Sequence, residues 1–303
     1  MNILVPLTIT DAMFTACSVA EPDTTETAWV SAASYTLGDK RIRTTTHRVY
    51  QCILTHSGRT ALPEADELYW SEYDPTVKWA AFDTYVSTQT TDTSPLTFTI
   101  AAGFYDAVSM YGLTGTSVTL THKATPGGTV LETRTISLYA ESLGLYEYLF
   151  GVKNPKSKIV ESGFESRPAG ELSVSISGTG TVGAGMINIG TYRSILGEWG
   201  GTIYGASVEP TTTSRIKTNE ATGKVSIKRG NAASGLRVTV QLPIEAANYA
   251  LQTMQEVLDV PVSVIASDAT GYEGLNVFGL ASASMVYPNY GLATLSVNVK
   301  GMI

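Results

Sequence analysis

The sequence has few charged residues, few cysteines and no long apolar run for a chain of 303 residues. Charged side chains make up 16% of it, below the roughly 25% usual in soluble domains. Two cysteines are too few for a disulfide scaffold. We expect Cys17 and Cys52 to be reduced and buried, with one bridge between them as the alternative. A surface so poor in charge is typical of a subunit that lies within an assembly.

The same shortages exclude several kinds of partner and location. A membrane-spanning helix needs a run of about 18 apolar residues, which is absent, so we expect no membrane insertion. The N-terminal stretch MNILVPLTIT has neither a positive leader nor a small-residue cleavage site, so it does not resemble a signal peptide. A net charge of −7 and a pI near 5.1 argue against a nucleic-acid partner, since phosphate binding needs clustered lysine and arginine.

The charge that is present is unevenly distributed. Residues 1–28 contain four acidic residues and no basic one, whereas residues 209–237 are rich in lysine and arginine. Two interpretations are open: both segments are solvated faces, or they are complementary edges that meet between subunits. Under the second interpretation, the candidates for assembly contacts are Asp11, Glu21, Asp23, Arg215, Lys217, Lys224, Lys228 and Arg229.

The apolar pattern predicts a mainly β, multidomain protein in four parts. Residues 1–28 form an extended N-terminal segment and a strand. Pro6 places this strand at a sheet edge. Residues 29–76 form a small aromatic β domain, either inserted into the next part or preceding it. Residues 77–205 have turn signals about every 8–12 residues, the rhythm of a β-sandwich, here of galactose-binding or jelly-roll type. Its predicted strands are Leu96–Ala101, Ala107–Leu113, Ser117–His122, Val130–Leu138, Glu147–Gly151, Ser157–Ser162, Glu171–Ser177 and Gly185–Gly190.

Residues 206–303 are predicted to form an α+β domain with one helix. Pro243 and the apolar spacing of Ile244–Leu258 are typical of a helix that covers a sheet. Before it, Ser214–Asn219 and Lys224–Arg229 form a predicted hairpin that is polar on both faces. Such a hairpin is either a solvated projection or an arm that packs on a neighbouring subunit. The strands under the helix are predicted at Pro261–Ala266, Leu275–Val286 and Leu292–Lys300.

The stretch from Trp29 to Trp70 has the spacing of a very small β-module. A turn at Gly38-Asp39 leads into two predicted strands, and a loop at Pro63 returns the chain towards Trp29. The aromatic rings of such a module either fill its core or also stack on the CH face of a sugar. The residues considered for glycan contact are Tyr69, Trp70, Tyr73 and Trp29.

No stretch carries a recognisable catalytic signature. Residues 178–183, Gly-Thr-Gly-Thr-Val-Gly, match the spacing of a dinucleotide-binding loop, but the β-branched residues that follow predict a hairpin turn. His47, His56 and His122 lack the closely spaced partners of a zinc site. The acidic cluster at residues 64–74 is interpreted as solvated loops, since nothing marks a glycosidase carboxylate pair. We therefore predict no enzyme activity, no cofactor and no metal.

Two family resemblances accompany these patterns. The aromatic, Gly-Asp and proline positions of residues 29–70 resemble the small chitin-binding-type carbohydrate modules of bacterial hydrolases and phage virion proteins. The whole chain resembles a family of tailed-phage tail or baseplate proteins, most specifically in the stretches WAAFD at residues 79–83 and GGTIYGAS at residues 200–207. The second resemblance implies a structural protein of the virion tail, made in the cytoplasm of a bacterial host.

These resemblances set the functional hypotheses. The leading one is a tail or baseplate component whose partners are copies of itself and other tail proteins. Under it, residues 1–28 and 215–229 are expected to become ordered largely through contacts with neighbouring subunits. The alternative is a glycan-binding adhesin that contacts host surface polysaccharide through the aromatic module. A polysaccharide-degrading enzyme is a third hypothesis, for which the sequence supplies neither a repeat solenoid nor a defined carboxylate pair.

Overall fold

The computed structural model describes residues 1–83, 88–139, 144–151, 155–195, 202–212, 214–218, 223–228, 230, 232–267, 269 and 271–302. Strands dominate this part of the chain, with helix α1 at Leu145–Phe150 and helix α2 at Ile244–Glu256. The strands are β1 Asn2–Pro6, β2 Phe14–Cys17, β3 Lys40–Arg43, β4 Arg48–Cys52, β5 Trp70–Pro75, β6 Thr90–Thr93, β7 Leu96–Ile100, β8 Ala107–Tyr111, β9 Ser117–Lys123, β10 Val130–Ser137, β11 Lys158–Ser162, β12 Glu171–Ser177, β13 Thr181–Ala184, β14 Met186–Ser194, β15 Ser207–Thr212, β16 Arg215–Thr218, β17 Val225–Lys228, β18 Ala232–Pro243, β19 Pro261–Ile265, β20 Asn276–Asn289 and β21 Leu292–Gly301.

These strands form several sheets of very different size. The largest has nine strands in the order β11-β8-β14-β1-β19-β20-β21-β18-β15, and the second has five in the order β10-β9-β12-β7-β2. Strands β3, β4 and β5 form the sheet of the aromatic module, while β6 pairs with β13 and β16 with β17. The mainly β fold class predicted from the sequence, with a small aromatic module and a helix near the C-terminus, is confirmed.

The nine-stranded sheet is curled into a half-barrel. Strands β14 and β1 separate β8 from β19, yet the hydroxyls of Ser109 on β8 and Ser263 on β19 lie 2.8 Å apart. In a flat sheet, strands three positions apart would be about 14 Å from each other, so the sheet bends until these two face one another. Tyr111 donates a hydrogen bond of 2.7 Å to Ser263 Oγ and packs on Phe278. The concave side therefore holds a small core of aromatic rings and hydroxyl groups.

The convex side of the half-barrel carries two larger cores. Alternation along β14 points Ile187 and Ile189 away from Met186 of the concave core and towards the five-stranded sheet. That sheet contributes Phe98 and Leu120, both fully buried. At the other end of the nine-stranded sheet, α2 lies against β18, β20 and β21. One curved sheet is thus covered by a second sheet at one end and by a helix at the other.

Helix α2 confirms the prediction of a helix beginning at Ile244. Pro243 precedes its first turn, where a missing N–H costs no hydrogen bond. Ala247, Ala250 and Met254 recur at three- and four-residue spacing and are buried against the sheet. The helix ends at Glu256, two residues before the predicted end at Leu258.

The prediction of an N-terminal edge strand is wrong. Strand β1 lies in the middle of the nine-stranded sheet, paired with β14 on one side and β19 on the other. Ile3 and Leu4 are completely buried, one on each side of the sheet. Pro6 is the last residue of the strand, so its missing N–H does not interrupt the ladder. Through β1 the sheet runs continuously across residue 205, where the sequence predicted a domain boundary.

Two local predictions within residues 77–205 are also wrong. The segment predicted as a strand at Glu147–Gly151 belongs to α1, which contains no glycine, proline or β-branched residue and so favours a helix. The turn at residues 178–180 is present, but it is not a hairpin, because β13 after it pairs with β6 instead of β12. The chain changes sheets at this turn, which the glycine pattern does not reveal.

Candidate assembly surface and aromatic module

A two-stranded arm continues the outermost hairpin of the half-barrel. Strand β15 pairs with β18 at the sheet edge, and the chain between them forms β16 and β17 as a separate two-stranded sheet. At the junction, Ser214 Oγ accepts a hydrogen bond of 3.1 Å from the Gly230 N–H across the ribbon. We call β16 and β17, residues 215–218 and 225–228, the arm. With a rise of about 3.3 Å per residue, four residues carry it roughly 13 Å further.

The arm has one apolar face and one basic face. Ile216 pairs with Ile227, so their side chains share a face, to which Val225 also belongs. These three side chains are 70%, 64% and 62% exposed. The opposite face carries Arg215 and Lys217, with Lys228 across from Arg215. The prediction of a hairpin that is polar on both faces is therefore wrong, because alternation along each strand puts Ile216, Val225 and Ile227 on apolar faces and the register brings these faces together.

The apolar face of the arm is uncovered within the described part of the chain. Every residue of β16 and β17 is exposed. A two-stranded hairpin in water is at best marginally stable, and it gains stability when another surface covers one side. Lys224, at the tip, is exposed as well, while Arg229 lies outside the described residues. Four of the five basic residues predicted as assembly candidates are therefore on the surface of one projection.

The acidic N-terminal candidates are largely engaged within the chain. The Glu21 carboxylate is buried, lies 3.0 Å from His47 Nδ1 and accepts a hydrogen bond of 2.8 Å from Thr76 Oγ1. Asp23 accepts hydrogen bonds from the backbone and hydroxyl of Thr25. Asp11 remains exposed, with one carboxylate oxygen 3.6 Å from His47 Nε2. The expectation that residues 1–28 need neighbouring subunits for order is wrong, since β1, β2 and these contacts fix them in place.

The aromatic module is built around its own rings. Tyr35, Tyr50, Cys52 and Trp70 form its buried core, and Tyr69 packs against it. Trp70 is 2% exposed, so it has no free face, and its prediction as a glycan contact is wrong. The core needs this ring because a sheet of three short strands has little other apolar material. Cys52 is unpaired here, and Cys17, on β2, is also a free thiol.

The remaining glycan candidates each have a cation over the ring. The Lys40 ammonium lies 3.5 Å from the ring centroid of Tyr73, which is 48% exposed. Arg59 lies 3.8 Å from the ring centroid of Tyr69. Trp29, which is partly buried, has Arg43 at 5.5 Å. A cation on a ring face competes with the stacking of a pyranose on that face, so these residues do not form an open aromatic platform.

The acidic cluster and the histidines of the module also have partners. Glu64 forms an ion pair of 3.0 Å with Arg43, and Asp66 one of 2.9 Å with Arg59. His56 packs against Tyr69. Among the residues that the structure describes, no group of three or more His, Cys, Asp or Glu side chains is placed to hold a metal ion.

A cleft of about 540 Å³ lies where the start of the chain meets the end of β14. Its lining includes Met1, Ile195, Ile203, Tyr204 and Tyr272. The described lining contains no carboxylate, imidazole, thiol, amine or guanidinium side chain. Its polar groups are hydroxyls and an amide, among them those of Ser194, Ser267 and Asn2, and the described lining offers no base to activate a hydroxyl as a nucleophile.

A second exposed apolar surface was missed by the sequence interpretation. Leu145, Tyr146, Leu149 and Phe150 of α1 are 75%, 75%, 57% and 73% exposed. The rings of Tyr146 and Phe150 pack on each other with centroids 5.4 Å apart. The available signal was the recurrence of apolar residues four positions apart, which is typical of one helix face. We call the exposed side of α1 the knob.

Comparison of the chain with protein-family models, curated proteins and solved structures finds no match. Within the described ranges, no helix is both long and apolar enough to cross a membrane. Functional inference therefore depends on the arm, the knob and the module themselves.

Proposed function

We propose that this protein is a structural subunit of a tailed-phage virion, in the tail or baseplate, which assembles with copies of itself and with other tail proteins. The observation that carries the proposal is the arm, whose three apolar side chains are exposed while its other face is basic. An isolated soluble protein gains nothing from such a projection. A subunit gains a contact that becomes buried only on assembly.

The arm is mounted so that it can present this contact in a fixed direction. Strand β18, which leads out of it, pairs with β15 over Ala232–Arg237 and with β21 over Leu236–Pro243. Full burial of an Ile or Val side chain contributes about 1.5–3 kcal/mol, while association itself costs about 4–15 kcal/mol. One arm contact is therefore of modest affinity, and repeated contacts in a symmetric assembly strengthen it.

The assignment to a phage tail comes from the resemblance of the whole chain to tail and baseplate proteins. Two features accord with it. The content of charged residues is low, at 16%, as expected of a subunit that is covered on several sides. The aromatic module lies in the chain between β2 and β7, which pair with each other, so it decorates a continuous scaffold.

Genetic complementation tests this function. A phage that lacks the gene is supplied with the wild-type protein, with an Ile216→Thr/Ile227→Thr variant, or with a Val30→Thr/Leu37→Thr control that alters equally exposed residues of the module. We expect the wild type and the control to restore tails and to be recovered in purified particles, and the arm variant to leave defective tails. Normal virions formed without the protein would refute the proposal.

A glycan-binding adhesin is the second candidate, favoured by the 48% exposure of Tyr73 and opposed by the Lys40 ammonium over its ring. A sugar would have to displace the Lys40 ammonium from that ring face. Binding to host polysaccharide in a pull-down, lost in Tyr73→Ala and retained in the Val30→Thr/Leu37→Thr control, is the expected result. Equal binding by the Tyr73→Ala protein would remove this candidate.

A further inference from the structure

In the chain, the knob lies between β10, an edge strand of the five-stranded sheet, and β11, an edge strand of the half-barrel. The strands on either side of it are tied together by a bridge between Tyr139 and Pro155 and by a hydrogen bond of 2.7 Å from Lys156 N–H to Leu138 O. Its four apolar side chains are exposed.

We propose that the knob is the docking site for the arm of a second copy of this chain. The inference rests on the proposed function and names the surface to which the arm binds. The apolar side of a helix can pack on the flat face of a sheet. The two surfaces do not cover each other within one chain, since their side chains are exposed on both.

Charge favours this pairing over contact between two arms. The described part of the arm and its tip carries Arg215, Lys217, Lys224 and Lys228. In the sequence, residues 139–155 contain two glutamates and one lysine. This segment is not basic, whereas arm against arm would bring two basic ribbons within about 10 Å, the usual spacing of packed sheets.

The strand order determines what such a contact builds. The arm extends from β15 at one edge of the half-barrel, and the knob adjoins β11 at the other edge. A contact between these different surfaces is heterologous, and each subunit retains one free arm and one free knob after the first contact is made. Heterologous contacts close into a ring or continue as a filament.

The test uses two full-length variants that each lose one surface. The arm variant is Ile216→Asp/Ile227→Asp, the knob variant is Leu149→Asp/Phe150→Asp, and a Val30→Asp/Leu37→Asp protein controls for added charge at exposed apolar sites. Each is compared with the wild type by sedimentation velocity over a range of concentrations. All substituted side chains are exposed, so the melting temperature should stay at the wild-type value, which is checked in parallel.

We expect the wild type and the control to form species larger than a dimer, and each variant alone to lose association by about tenfold or more. A one-to-one mixture of the arm and knob variants should form dimers and nothing larger, because the intact knob of one meets the intact arm of the other. Dimers of the knob variant alone would indicate contact between arms and overturn the inference. Dimers of the arm variant alone would indicate contact between knobs and overturn it as well.

Failure of the inference can be told apart from failure of the proposed function. A wild type that stays monomeric at every concentration contradicts both. A wild type that assembles while the mixture of variants stays monomeric contradicts only the pairing of arm and knob. Disulfide formation between an Ile227→Cys chain and a differently tagged Leu149→Cys chain, under copper-catalysed oxidation by air, gives a second readout that does not depend on added charge. Absence of that mixed disulfide in an assembling sample would also overturn the pairing.

Discussion

Alkaline titration of Tyr111 is the sharpest test of the closed interior of the half-barrel. Burial raises the pKa of Tyr111 to about 12, although hydrogen bonds with Ser263 and Ser109 lower it in part. In an unfolded chain a tyrosine titrates near pH 10. Between these two values the unfolded chain has released a proton that the folded protein still holds. The free energy of unfolding therefore falls as the pH rises above about 10.

The magnitude follows from the two pKa values. One pKa unit is worth about 1.4 kcal/mol, so the wild type loses roughly 1.4 kcal/mol by pH 11 and roughly 2.3 kcal/mol by pH 12 through this residue. A Tyr111→Phe variant lacks this loss. At neutral pH, however, it is less stable by about 1–1.5 kcal/mol, because the hydrogen bond to Ser263 is missing. The two stability curves should cross near pH 11.

The measurement is urea unfolding of the wild type and of Tyr111→Phe from pH 7 to 11.5. The chain has 16 tyrosines, but the others contribute to both proteins and cancel in the difference. A Tyr290→Phe protein is the matched control, since that side chain is fully exposed. If the difference for Tyr111→Phe does not change with pH, the hydroxyl is accessible to water and the closed interior is wrong.

Three other predictions concern the surface and the module. Ile216→Thr/Ile227→Thr should weaken self-association by about 2–4 kcal/mol, roughly 30-fold to several hundred-fold, in sedimentation measurements, and should not lower the melting temperature. Unchanged association would mean that the arm is not part of the interface. Trp70→Ala should destabilise the aromatic module by about 3–5 kcal/mol in chemical denaturation, and a loss below 1 kcal/mol would mean that the ring does not support the core. A hydrogen bond from Arg134 lowers the pKa of Glu132, so this pair stabilises the folded protein above the ordinary pKa of glutamate, and the stabilisation is lost as the pH falls through the lowered pKa. Melting temperatures measured at acid pH should show this loss in the wild type and not in Arg134→Gln. Parallel profiles of melting temperature against pH in the two proteins would contradict the prediction.

The sequence predicts the elements of this fold better than their arrangement. Strands such as Leu96–Ile100 and the helix from Ile244 follow from the spacing of apolar residues, which is a local property. The central position of β1 depends on partners near residues 190 and 264. No local pattern specifies which distant strands will pair, so Pro6 alone suggested an edge.

The same holds for the candidate sites, whose residues the sequence predicts better than their arrangement. The basic residues near residue 215 and the aromatic rings of the module could be named from composition. Their accessibility could not, because Trp70 faces inward and Ile216 faces outward only through the register of their strands. Aromatic residues favour β structure, in line with the strand predicted at Glu147–Gly151, whereas the four-residue spacing of the apolar residues fits α1.

The position of β1 also has a consequence for the synthesis of the protein. Residues 2–4 pair with residues 263–265, which leave the ribosome much later. At about 5–20 residues per second, the first strand must wait roughly 13–50 s for that partner. During this time one of its edges is bare, and a chain that stops early never covers it. Closure of the half-barrel thus reports that translation has passed residue 265, so a nascent or truncated chain cannot present a completed sheet to its neighbours.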